Sequence, residues 1–157
     1  IYRAVKINMG YSSEQEIEIS GPPQWIVACI FIALAGLVLP LLLIPIVKTL
    51  GYSEIIEEIA KAVVVLIIVL KIPRLKSKIM TSVVFGFLFG FSENVFYLNQ
   101  LMQNGLSQIF IERFLITVPM HVVTVLVVLG FTLQKRYLWL VGLLLAITFH
   151  LLFNFLV

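Results

Sequence analysis

"SEIIEEIAKAVVVLIIVL", residues 53–70, decides the fold, because it reads in two ways at once. From Ala62 to Leu70 it is uninterrupted apolar helix, yet the preceding turns carry Glu54, Glu57, Glu58 and Lys61. A charge near the bilayer centre costs at least ~2.5–3.5 kcal/mol, so charged groups in a membrane helix face a bundle interior and usually have a task. Glu57 and Lys61 stand i,i+4, which also suits a plain helix-start salt bridge near the headgroups.

The rest of the chain favours a membrane. Of 157 residues, 61% are hydrophobic and only 12% charged, about half the ~25% usual for a soluble domain. The mean hydropathy is +1.11. Five apolar runs, at 24–48, 54–72, 79–99, 109–131 and 137–157, each approach the ~20 residues that span a bilayer. Only a helix satisfies its backbone within one segment in lipid. The expected fold is therefore all-α, a polytopic membrane helical bundle of about five transmembrane helices over 24–157, with a polar N-terminal segment at 1–23. Gly36, Pro40 and Pro45 predict a kink or break near the end of the first helix. Gly86 and Gly90 form a small-xxx-small pair that predicts close helix packing.

The formal charge of +3 does not point to nucleic acid, because the basic residues sit between apolar runs, as topology signals do. The single cysteine, Cys29, excludes an internal disulfide. Lys71, Arg74, Lys76 and Lys78 mark one link as cytoplasmic, and Lys135 and Arg136 mark another. The link at 100–108 has neither Lys nor Arg and is expected outside. Lys48 is a weak exception. Trp25, Tyr137 and Trp139 fall at run ends, where aromatic belts anchor.

The polar residues inside the apolar runs are grouped. Helix two holds Glu57, Glu58 and Lys61, helix three Glu93 and Asn94, helix four Arg113 and His121, and helix five His150 and Asn154. Taken singly, each has a bland reading as interhelical packing or an end-of-helix charge. Jointly, four helices carry acid–base groups that would otherwise face lipid. Hydrolysis needs a base to activate water, donors for an oxyanion and an acid for the leaving amine. Burial beside a second carboxylate tunes a glutamate toward base duty, and His150 and Asn154, one turn apart, share a helix face. Glu57, Glu93, His121 and His150 equally suit zinc, which takes His and carboxylate ligands and keeps a position open for water. No HExxH is present. No cofactor is favoured on the spacing, and zinc stays open.

Glu57-Glu58-Ile59-Ala60-Lys61 resembles the EExxK motif of the PrsW family of intramembrane proteases. Phe89 to Glu93 resembles its FxxxE motif, His150 to Asn154 its HxxxN/D motif, and Arg113 with Pro119-Met120-His121 its Arg…Pro-x-His stretch. The related CAAX-processing and bacteriocin-processing peptidases carry histidine where Glu93 stands. The resemblance covers about 50–157 and departs from the family at Met120, where glycine is common, and in the small number of helices.

It implies an intramembrane endopeptidase in a prokaryotic cell membrane, cleaving membrane-anchored protein substrates of the anti-sigma-factor type at a first site. Glu57 and Glu58 would activate water, Glu93 and His121 would position it, and His150 with Asn154 would stabilise the oxyanion. Lys61, Phe89 and Arg113 would support them. The helix directions place this set toward the external side. Two rival readings are a proton or cation relay in a transporter, and an inactive binding or immunity-type member of the same fold. Oligomeric state is not legible.

Overall fold

The structure, a computed structural model, describes residues 23–103 and 107–156, without the side chains of 97, 99–103, 107–110, 112 and 113. The polar segment at 1–22 and the side chain of Arg113 therefore lie outside the described residues. Five α-helices follow one another: α1 (Gln24–Leu50), α2 (Ser53–Lys71), α3 (Leu75–Gln103), α4 (Ser107–Gln134) and α5 (Trp139–Leu156), the last preceded by a 3₁₀ turn at Arg136–Leu138. The expected all-α bundle is what forms.

The expected break in the first helix needs correction. α1 runs unbroken through Pro40 and Pro45. A proline removes one backbone hydrogen bond, but a membrane helix carries it where neighbouring helices support the backbone. Here Ser92 on α3 hydrogen-bonds the Leu37 carbonyl at 2.7 Å, next to the Gly36 carbonyl that Pro40 leaves without its helical donor. The five expected helices are all present, and among the described residues four of them hold segments long and apolar enough to cross a membrane: Gln24–Leu50, Leu75–Phe96, Phe114–Gln134 and Arg136–Leu156. α2 carries Glu54, Glu57, Glu58 and Lys61 in its first half and sits differently, packed against all four other helices. Its buried residues are Glu58, Lys61, Ala62, Val65 and Ile68, one stripe at helical spacing. The two charges thus share the inward face with the core aliphatics.

α1 and α3 run parallel. Trp25 receives the Arg74 guanidinium 5.8 Å from its ring, Thr81 donates to Cys29 Sγ at 3.2 Å, and Ser92 reaches Leu37 further along both helices. α3 and α4 approach closely at the small-residue pair: a Cβ on Gly86 would lie 2.9 Å from Val122 Cα, and one on Gly90 would lie 3.0 Å from Val118 Cα. The packing role expected for this pair is the one it has.

The link between α1 and α2 is only Gly51 and Tyr52, both at positive φ, 70° and 57°. Glycine adopts that region without the steric penalty other residues incur. The tight reversal folds the first turns of α2 back beside the last turns of α1, which sets the position of the site.

Candidate active site

The sequence-predicted acid–base residues converge. Glu58 Oε1 lies 2.5 Å from Lys61 Nζ and 2.9 Å from His150 Nδ1. Lys61 Nζ also lies 2.8 Å from His121 Nδ1 and 4.8 Å from the centroid of the Phe89 ring. His121 Nε2 stands 2.5 Å from Glu93 Oε2, but off the axis of a hydrogen bond, so neither atom has a directed partner. The rings of His121 and His150 meet edge to face, with centroids 5.3 Å apart. Phe89 packs on His121 at the same centroid distance, 5.3 Å. Glu58, Lys61, Phe89 and His121 are fully buried, and His150 is nearly so.

Hydrogen-bond chemistry assigns the tautomers. An ionised carboxylate only accepts, so His150 Nδ1–H donates to Glu58 and Nε2 is left as its free acceptor. A lysine ammonium only donates, so His121 Nδ1 accepts from Lys61 and its ring proton lies on Nε2, toward Glu93. Lys61 and Glu58 thus hold the two imidazoles in opposite tautomers.

The two adjacent carboxylates are in different situations. Glu58 is fully buried and engaged through Oε1. Glu57 is half-buried and its buried Oε2 has no hydrogen-bond partner. Glu57 and Glu93 line a cavity of about 370 Å³ with Ser53, Phe96 and one face of α1, namely Pro40, Leu43, Ile44, Val47 and Lys48. The motif residues gave no sign of this α1 wall. Its i, i+3, i+4, i+7 spacing was present in the sequence, but in a helix apolar all round no one face stands out.

Asn154 is not in the cluster. It lies one turn beyond His150 and donates its amide to Glu54 Oε1 at 2.9 Å, while Ser53 donates to the other oxygen of Glu54 at 3.1 Å. Glu54, in the first turn of α2, thus has two side-chain partners.

Ligand atoms of Glu57, His121 and His150 all lie within 4.8 Å of one another. Two imidazoles and a carboxylate are a donor set that catalytic zinc uses. His150 has the free Nε2 and the carboxylate behind Nδ1 that metal-binding histidines usually have, and Glu57 offers an orphaned buried oxygen. The residues fit a metal. The zinc alternative left open on the sequence thereby gains a trio, with Glu93 beside it at His121. One condition attaches: a metal on His121 Nε2 requires the ring proton at Nδ1, which excludes the ammonium contact from Lys61.

Carboxylates and imidazoles gathered beside a cavity, inside a bundle of apolar helices, define a class: a polytopic membrane protein with an acid–base site at bilayer depth. The model of the PrsW family intramembrane metalloprotease matches residues 22–157, and the chain belongs to that family. It is accordingly an integral membrane protein of a peptidase family whose description includes a metal. No curated protein and no solved structure matches the chain.

Proposed function

We propose that the protein is an intramembrane endopeptidase that cleaves membrane-anchored protein substrates of the anti-sigma-factor type, with Glu57 as the base that activates water. The observation that carries this reading is the division between two adjacent carboxylates. Glu57 lines the cavity with an unengaged oxygen, while Glu58 is occupied by Lys61 and His150. A base must reach the water it deprotonates, which supports Glu57 over Glu58. Glu58 is then a positioning residue that orients His150.

In this reading Glu93 and His121 Nε2–H flank the water and the carbonyl under attack, and the buried surroundings strengthen each of these contacts. Glu57, having taken the water's proton, is placed to return it to the leaving amine. Where zinc is bound, Glu57, His121 and His150 would hold it, it would polarise the carbonyl and lower the pKa of a bound water, and Glu93, the other carboxylate on the cavity, would take the base role. Asn154, engaged with Glu54, acts on the oxyanion only if that bond opens.

The test is incubation of purified protein with a panel of single-pass membrane substrates, wild type beside Glu57→Gln and Glu58→Gln. Site-specific cleavage lost in the Glu57→Gln variant supports the reading. Absence of cleavage, together with proton or cation flux in proteoliposomes, would favour a relay through the same carboxylates instead.

A further inference from the structure

The α1 wall of the cavity belongs to none of the four motifs, and its make-up is specific. Pro40, Leu43, Ile44 and Val47 present an apolar strip, Phe96 faces the same space, and Glu57 and Glu93 supply two carboxylates. Lys48, in the last turn of α1, is the one cation among the lining residues. It is exposed and makes no ion pair among the described residues. Ser53 is already engaged with Glu54. The buried carboxylate oxygens of Glu57 and Glu93 that lack directed partners belong to residues lining this same space.

Size limits the occupant. A helix is about 10–12 Å across with a 5.4 Å pitch, so one turn fills roughly 400–600 Å³. The cavity, at about 370 Å³, is smaller than that. A space of this size suits an extended peptide reaching Glu57 better than a helical one. Charge limits the occupant further. Two carboxylates repel an acidic side chain next to the scissile bond, whereas Lys48 offers an acidic side chain a partner on the α1 side.

Resting on the peptidase reading, we propose that this cavity is a substrate subsite. It takes an extended segment whose apolar residues lie along α1 and whose acidic residue pairs with Lys48. Lys48 is then a specificity-determining residue, and the segment accepted is an unwound end of a substrate's membrane anchor.

The experiment uses single-pass peptides in neutral-lipid nanodiscs, carrying Asp, Asn or Lys at successive positions around the cleavage point. Cleavage kinetics and photo-crosslinking are both read. With wild-type protein, one position should favour Asp over Lys by up to about fivefold, the upper end of what one exposed ion pair supplies. Lys48→Glu should invert that preference through KM with little change in kcat, and Lys48→Arg should retain it. Lys135→Glu, outside the cavity lining, should leave it unaltered. Cleavage with an unchanged preference in Lys48→Glu overturns the subsite and leaves the peptidase reading standing. Crosslinking that follows the charge at 48 with no cleavage in any variant does the reverse. Binding that follows added anionic lipid, indifferent to peptide charge, assigns Lys48 to headgroups and also overturns the subsite.

Discussion

Glu58 on α2 and His150 on α5, 92 positions apart in the chain, meet at 2.9 Å in the bundle interior. The same carboxylate oxygen receives Lys61 at 2.5 Å, with both side chains fully buried. Removing one partner of a buried pair leaves an uncompensated charge, at a cost of about 3–5 kcal/mol. Glu58→Gln should therefore lower the thermal unfolding temperature in detergent, whereas Glu57→Gln, which breaks no pair, should not. Equal unfolding temperatures in the two variants would contradict the division of roles between them.

The second expectation is catalytic. Glu57→Gln preserves shape and removes basicity, and general-base contributions are typically 10²–10⁴-fold, so turnover should fall by about that factor in a folded protein. Retention of full turnover would move the base to Glu93, the other carboxylate on the cavity.

Much of this site was legible in the sequence because charge in lipid is costly and therefore informative. Glu57, Glu58, Lys61, Glu93, His121 and His150 stood out against apolar runs, and they converge. The lengths of the apolar runs placed the five helices, although α3 begins four residues earlier and ends four later than the apolar run it contains. Contacts between helices were not legible. Nothing local indicates that Lys61 lies between Glu58 and His121, since that depends on how α2 sits against α4. Nor did the sequence show that α2 is wrapped by the other helices, because the same residues from Ala62 to Leu70 suit lipid or a protein interior. Asn154 was grouped with His150 by its i,i+4 spacing and by the resemblance to an HxxxN/D motif, and its partner Glu54 is 100 residues away.

The Glu54–Asn154 bond separates two roles for Asn154. A residue donating directly to an oxyanion is worth about 10²–10³ in kcat. A residue acting through Glu54 should lose the same modest activity on Asn154→Ala as on Glu54→Gln, with no further loss in the double variant. The expected result is this non-additive pattern. A large loss in Asn154→Ala with little in Glu54→Gln would restore the oxyanion role.

Glycine substitutions test the packing around His121. A Cβ on Gly90 would fall 2.8 Å from His121 Cδ2, while one on Gly130 would meet nothing within 4 Å. Gly90→Ala should displace the imidazole, with a stability cost of about 1–3 kcal/mol and a further loss of turnover. Gly130→Ala should be neutral or stabilising by up to ~1 kcal/mol, because alanine favours helix. Comparable turnover in the two variants would show that His121 tolerates displacement.

Metal content is directly measurable. If zinc occupies the trio Glu57, His121 and His150, about one zinc per chain should survive purification without chelator, and Glu57 is then a ligand and not the base. Glu58→Gln, which removes the carboxylate behind His150, should weaken zinc binding by roughly 10–100-fold. Full activity with far less than one zinc per chain would assign hydrolysis to the carboxylates and imidazoles alone.

The last prediction concerns the side on which the site opens. Lys71, Arg74, Lys76 and Lys78 surround the end of α2 and the start of α3, and Lys135 and Arg136 lie between α4 and α5. With α1 parallel to α3, and Arg74 stacked on Trp25 at the start of α1, these basic residues gather at one end of the bundle. The positive-inside rule makes that end cytoplasmic. Glu57 lies four residues after the start of α2, about 6 Å in from the opposite end. His150 lies six residues before the end of α5, about 9 Å from that same end. The basic residues take no part in the cluster, and the expectation from the two observations together is that the cavity opens toward the outside. In a Cys29→Ser background, Thr49→Cys should react with an impermeant thiol reagent on intact cells, and Gln134→Cys should react only after permeabilisation. The opposite labelling would turn the site, and the substrate segment it meets, to the cytoplasm.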